Sequence, residues 1–217
     1  PFQSEPVPRL RPEPRWIKFA VLLDDPHRVY FQDSGRYLFH YDFAVARLPG
    51  FTDMTRSEFD AVTLRISGQR AVLGAVLFAP TPGLNEIAIQ LVGHDPYPRE
   101  RVAEWFHTVR AMVVAPSGMG AFYLPTFEQA DVARANRDWF ESEGIPIGSA
   151  GRWMSGDDCY APGWTLGRLV FVPGVEIADA YRQGRIGPRD VLLTDAVPAE
   201  VPPLAGIVSL SPATPNS

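Results

Sequence analysis

Residues 70–93, RAVLGAVLFAPTPGLNEIAIQLVG, hold two apolar runs on either side of a proline-glycine turn. Each run has the length of a strand, is rich in Val, Ile and Leu, and is bounded by breakers, which favours strand over buried helix. Thr81-Pro82-Gly83 supplies the turn: proline fixes one φ and glycine leaves the next free. RAVLGAVLFAP and NEIAIQLVG therefore read as a hairpin, and the region around them as a largely antiparallel sheet.

Upstream, the same strand-like pattern appears in WIKFAVLLDD, RVYFQDS and YLFHYDFAVA, joined by turns at Asp24-Asp25-Pro26 and Asp33-Ser34-Gly35. Thr55 and Glu58 form a capping box, which predicts a short helix from Arg56 to about Leu64. Downstream, a helix starts near Pro98 and places Val102, Trp105, Phe106, Val109, Met112 and Val113 on one apolar face. A strand GAFYLPT follows. Thr126 with Gln129 repeats the capping box, ahead of a helix through Trp139 and Phe140 that stops at Gly144. Residues 16 to about 150 thus read as one α+β domain, with a mostly antiparallel sheet and helices on one face.

Composition limits the functions open to this chain. Its 217 residues are 46% hydrophobic and 21% charged, enough for a packed core, and the net charge of -5 gives no general attraction for nucleic acid or anionic membrane. Of 20 basic residues only Lys18 is a lysine, so lysine chemistry is confined to one place. The single Cys159 can form neither an internal disulfide nor a zinc site by itself. No apolar run approaches the roughly 20 residues of a membrane-spanning helix. Residues 1–15, PFQSEPVPRLRPEPR, carry five prolines without apolar periodicity and read as an extended arm.

From about Gly151 the character changes. GRLVFVP reads as a short buried strand, EIADAYRQG as a helix ending at Gly184, RDVLLTD as a strand, VPAEVPP as a proline-rich crossing and LAGIVSL as another strand. This β-α-β-loop-β order leaves the edge from Ala205 to Leu210 without an evident partner, so residues 151–217 read as part of a domain. The motifs GWTLGRLVFV (163–172), GRIGPRDVLLTD (184–195) and PPLAGIVSLSPATPNS (202–217) resemble the first half of the phosphohistidine swivelling domain of phosphoenolpyruvate-utilising dikinases. That family includes pyruvate phosphate dikinase, phosphoenolpyruvate synthase, the glucan water dikinases and bacterial relatives.

The resemblance implies that Gly187 to Thr194 matches the family's G-D-I-L-V-T strand and Ala205 to Val208 its A-G-I-V strand. Thr214-Pro-Asn-Ser217 then looks like the approach to the phosphoryl-accepting histidine, expected one residue beyond Ser217. Ser211, Thr214, Asn216 and Ser217 become candidates for holding phosphate oxygens, since transfer is catalysed mainly by positioning and charge stabilisation. The implied whole is a multidomain, ATP- and Mg-dependent phosphotransferase with an ATP-binding domain as partner and a small molecule or glycan as acceptor. This chain would itself have no phosphoryl acceptor. An ATP-using enzyme implies the cytoplasm, while a proline-rich start without Met leaves export open.

Rival chemistry has its own residues. If YLFHYDFA is a strand, alternation puts His40 and Asp42 on one face about 7 Å apart, the start of a metal site that His27 or His94-Asp95 would complete. The class-distinct reading is then a self-sufficient binding or exported module that holds a metal through His40 and Asp42. His107 falls on the polar side of its helix. Ser149, Ser155 and Cys159 lie in no nucleophile elbow. Trp153, Tyr160 and Trp164 are candidates for stacking on a sugar ring, with packing at a domain joint as the plainer role. The open edge from Ala205 to Leu210 is expected to fray or to pair across a dimer.

Overall fold

The strand Ala71–Phe78 (β3) is buried on both faces along nearly its whole length, and the rest of the larger sheet is arranged around it. The computed structural model describes residues 15–33, 35–79, 84–153, 165–198 and 200–211. In chain order the first part contains β1 (Arg15–Leu22), β2 (Val29–Phe31), α1 (His40–Arg47), α2 (Arg56–Thr63), β3, β4 (Glu86–Val92), α3 (Arg99–Met112), β5 (Gly120–Tyr123), α4 (Ala130–Ala135) and α5 (Arg137–Ser142). The sheet order is β2-β1-β3-β4-β5. All neighbours are antiparallel except β4 and β5, which run parallel. The fold is therefore mixed α+β, with a mostly antiparallel five-stranded sheet.

The expected hairpin is present: β3 and β4 pair antiparallel from Leu73 opposite Val92 to Phe78 opposite Ile87. Residues 80–83 lie outside the described residues. Strand alternation divides the apolar residues of β1, β3 and β4 between two faces. Phe19, Val21, Val72, Val76, Ile87, Ile89 and Leu91 pack under Val102, Trp105, Phe106 and Val109 of α3. Ala20, Leu22, Ala71 and Leu73 pack under Phe43 and Ala44 of α1 and Phe59 of α2. The expectation of helices on one face is thus corrected: a central strand with no polar face needs cover on both sides.

That requirement also explains a second correction. The stretch 37–46 does not continue as a strand, because His40–Arg47 is helical. Alternating aromatics from Tyr37 to Phe43 suggest period two, yet Phe43, Ala44 and Leu48 are the residues that become buried, and their spacing is helical. Asp42 in the first turn and Arg47 in the last suit the helix dipole. Pro49 stops the helix, since the residue before a proline avoids the α region. Tyr37 and Tyr41 still serve the core, in edge-to-face contacts with Phe43 and Phe59 at 5.6 Å each.

The capping box at Thr55 and Glu58 is formed in full. The one expected at Thr126 and Gln129 is not, since Thr126 makes no side-chain cap. Gln129 instead turns inward, accepting from the Tyr97 amide at 2.8 Å and donating to the carbonyls of Asp95 and Gly93 at 2.9 and 3.3 Å. A buried amide with these partners fixes the β4–α3 connection to the segment after β5.

The second part contains β6 (Arg168–Phe171), α6 (Ile177–Arg182), β7 (Asp190–Thr194) and β8 (Gly206–Ser209). Its three strands are all parallel, in the order β6-β7-β8. One face is covered by α6, where Val172, Ile177, Ala180, Ile186 and Leu192 form a separate small core. On the other face Leu169, Phe171 and Val208 are exposed, and Leu210 beyond the end of β8 is exposed too. Strand β6 was expected to be buried and is not. Asp190 ties the unit's lower end together, accepting from Arg168 Nε at 2.9 Å and from the Gly187 amide at 2.8 Å.

Gly74, in the middle of β3, tests the packing of the central strand. A Cβ there would collide with both the Gln90 carbonyl oxygen and the Phe19 ring, so the aromatic ring fills the space that a side chain would take. Gly74→Ala is expected to lower stability by about 3 kcal/mol, the upper range for overpacking a rigid core. Urea unfolding measures this, and a midpoint at or above that of the parent protein would show that Phe19 does not press on this position.

Candidate functional site

On the α1/α2 side of the large sheet, β1, β3 and β4 form the floor of a cavity of about 320 Å³. Leu73, Val92 and Gly93 supply apolar floor, Lys18 comes from β1, and Phe39, His40 and Tyr41 from the start of α1. Arg56, Phe59, Asp60 and Leu64 line it from α2 and its end, and His94, Thr126, Glu128 and Glu200 close the far side. The sequence alone does not assemble this group, because its members are dispersed from Lys18 to Glu200.

The lone lysine is half-buried here. Its Nζ donates to the Leu38 carbonyl at 3.2 Å and lies 6.0 Å from the centroid of the Phe39 ring. Burial holds its amine below the ordinary lysine range. Among the described residues no carboxylate pairs with it. Arg56 Nε pairs with Asp60 at 3.1 Å, and its guanidinium lies over Tyr41. Glu200 faces His94 Nε2 at 3.8 Å.

His40 occupies the first position of α1 and turns inward, with Nε2 3.1 Å from the Gly74 carbonyl oxygen. A carbonyl can only accept, so this nitrogen carries the proton. Desolvation first, and then the Lys18 charge, push the ring down to about 4, against the raising effect of the Gly74 and Phe19 carbonyls. Asp42 is exposed; two residues along a helix is about 200° of rotation, so the pair expected on one strand face points apart. His94 lies in the cavity, but Asp95 is spent on the Ile66 amide at 2.9 Å. His27 and His107 are exposed, and His107 makes an edge contact with Phe106. Among the described residues no group of three or more His, Cys, Asp or Glu converges as a metal site.

The other expected positions fall as follows. Trp153 is buried against Phe122 at 5.2 Å and donates Nε1 to Glu86 at 2.8 Å, so it packs on the large sheet beside β4 and β5. Tyr160, Trp164, Ser155 and Cys159 lie outside the described residues, as do Thr214, Asn216 and Ser217. Ser149 is exposed and its carbonyl accepts from the Arg152 amide. Ser211 stands just past β8, where Ser209 Oγ donates to its carbonyl at 2.6 Å and accepts from its amide at 3.1 Å. Thr194 ends β7 beside it, and Asp195 accepts from the Gly174 amide at 2.8 Å. The C-terminal ends of β7 and β8 thus lie side by side, with Thr194, Ser209 and Ser211 there. The outer edge of β8 has no strand partner among the described residues.

No family model matches the chain, and no curated protein or solved structure is significantly similar to it. No helix among the described residues is long and apolar enough to cross a membrane.

The depressed His40 makes stability depend on pH in a set direction. Unfolded, the imidazole takes a proton near 6.5; folded, it does so only near 4. Between those values the unfolded state binds more protons, so the contribution of neutral His40 is complete above about pH 6.5 and is lost as pH falls toward 4. Allowing for solvent in the cavity, the loss is on the order of 2 kcal/mol. His40→Gln keeps a donor for the Gly74 carbonyl and should flatten the melting temperature across this window. An unchanged pH slope in the variant would assign it to other groups.

Proposed function

We propose that the chain is part of a dikinase-like phosphotransferase in which the β6–β8 unit handles a phosphoryl group at the C-terminal ends of its strands. The supporting observation is a parallel three-stranded unit with α6 on one face and an apolar face, Leu169, Phe171 and Val208, left in water. Parallel sheets are normally covered on both faces, so such a unit suits incorporation into a larger phosphohistidine domain. Open parallel sheets bind ligands beyond the carboxyl ends of their strands, which is where Ser209 and Ser211 lie.

In this reading Ser211, Thr214, Asn216 and Ser217 hold phosphate oxygens through hydroxyl, amide and backbone groups. A histidine following Ser217 accepts the phosphoryl group from ATP and Mg in an ATP-binding domain, then passes it to a small molecule or glycan. The five-stranded part acts as an accessory module ahead of that domain.

The experiment is phosphorylation with γ- or β-labelled ATP, followed by acid and base treatment. Residues 1–217 alone should take up no acid-labile phosphate, because His27, His40, His94 and His107 all lie in the five-stranded part or beside it. The complete gene product should be labelled on a histidine beyond Ser217, and Ser211→Ala in it should slow labelling by about tenfold or more. Label on any of the four histidines of this chain, or no histidine label in the complete product, overturns the reading.

A further inference from the structure

The cavity against the large sheet is lined by residues of the five-stranded part and by Glu200 of the β7–β8 crossing, and among the described residues neither Ser209 nor Ser211 lines it. Its charges are unevenly answered. Asp60 is engaged by Arg56, Glu200 is mostly exposed and faces His94, and Glu128 has a partner of its own. Among the described residues Lys18 has only a neutral carbonyl and an aromatic ring. A half-buried ammonium without a counter-ion has lost hydration that nothing in its surroundings fully replaces.

A second observation comes from the opposite wall. Thr126 is 7% exposed, lines the cavity, and its Oγ1 has no hydrogen-bond partner among the described residues. A buried hydroxyl left unpaired costs about 1–3 kcal/mol, which a ligand oxygen would recover once the side chain turns its hydroxyl toward the cavity. Asp60 engages Arg56 only through Nε, so the two terminal nitrogens of the guanidinium remain uncommitted to it. Between these donors the floor is apolar, with Phe59, Leu73 and Val92.

We propose that this cavity binds a small organic anion, its carboxylate or phosphate group held by Lys18 and Arg56, with the Thr126 hydroxyl as a further contact and its apolar body on Leu73 and Val92. At about 320 Å³ the space lies at the small end of ligand pockets, roughly 300–1,000 Å³. An anion seated there gives Lys18 a charge partner, and it raises the basicity of the amine from its depressed state.

Because Lys18 is the only lysine, it can be observed alone. Reductive methylation with labelled formaldehyde keeps its charge and gives one dimethyl-lysine NMR signal, separate from that of the terminal amine. Butyrate, glycerol 3-phosphate and inorganic phosphate are titrated, with butyramide as the neutral control. A saturable shift with butyrate identifies a carboxylate ligand, and one with glycerol 3-phosphate but not butyrate identifies a phosphate monoester; either supports the site. Arg56→Gln should weaken binding about tenfold or more, the size of one lost charge-assisted hydrogen bond, and Thr126→Val should weaken it several-fold. Both leave the Lys18 signal in place as the reporter, so the test survives if Lys18→Gln fails to fold. Three results overturn the proposal: no saturable shift up to about 0.1 M, where screening takes over; equal effects of butyrate and butyramide; or affinities unchanged in both variants.

Discussion

The burial of β3 on both faces governs the rest of the larger sheet. Leu73 and Ala75 look one way and Val72 and Val76 the other, and neither set reaches water. The side occupied by α3 is met by a long helix with a strong apolar stripe. Among the described residues the opposite side has no such helix, and two short ones, α1 and α2, cover it in parts. Their aromatics do the filling, with Phe59 touching both Tyr41 and Phe51 edge to face. Gly74 marks the tightest point, where the Phe19 ring lies against backbone.

Covering a sheet with two short helices leaves a gap where they meet the polar positions of the strands. Lys18 lies opposite Ala75, which in turn lies opposite the fully buried Gln90. Lys18 and Gln90 are polar positions on an otherwise apolar face, and the cavity opens beside Lys18. A floor that carries a charge cannot be closed by apolar packing without stranding that charge, so the recess and the lysine belong together. His40 seals the start of α1 onto the same floor through the Gly74 carbonyl, in its neutral form.

The parallel unit obeys the same rule of burial but satisfies it on one face only. The α6 side has a core, while Leu169 and Phe171 on the other side are more than half exposed. Its strands are nonetheless firmly registered, with Arg168 and Asp190 joined at one end and the Asp195–Gly174 contact at the other. Register in a parallel pair is set by such end contacts together with the apolar alternation. The two parts touch where His94 meets Glu200 and where Gly174 lies close to Phe127.

Local chemistry made much of this legible from the sequence. The hairpin of β3 and β4, the capped start of α2, the stripe of α3 and the glycine stops at Gly144 and Gly184 each depend on residues a few positions apart. The order of β6, α6, β7 and β8 was readable for the same reason. What the sequence left undetermined depends on contacts between distant segments. The stretch from Tyr37 to Ala46 satisfies both period two and a short helix, and the uncovered face of β3 selects the helix. Gln129 abandons a local cap for the backbone around Tyr97, which is remote in sequence. The cavity joins Lys18, His40, Arg56, Thr126 and Glu200, whose proximity no spacing encodes. Side-chain periodicity and capping are determined within one or two turns of chain; which polar groups share a desolvated space is decided only when strands and helices far apart in sequence close over the same floor.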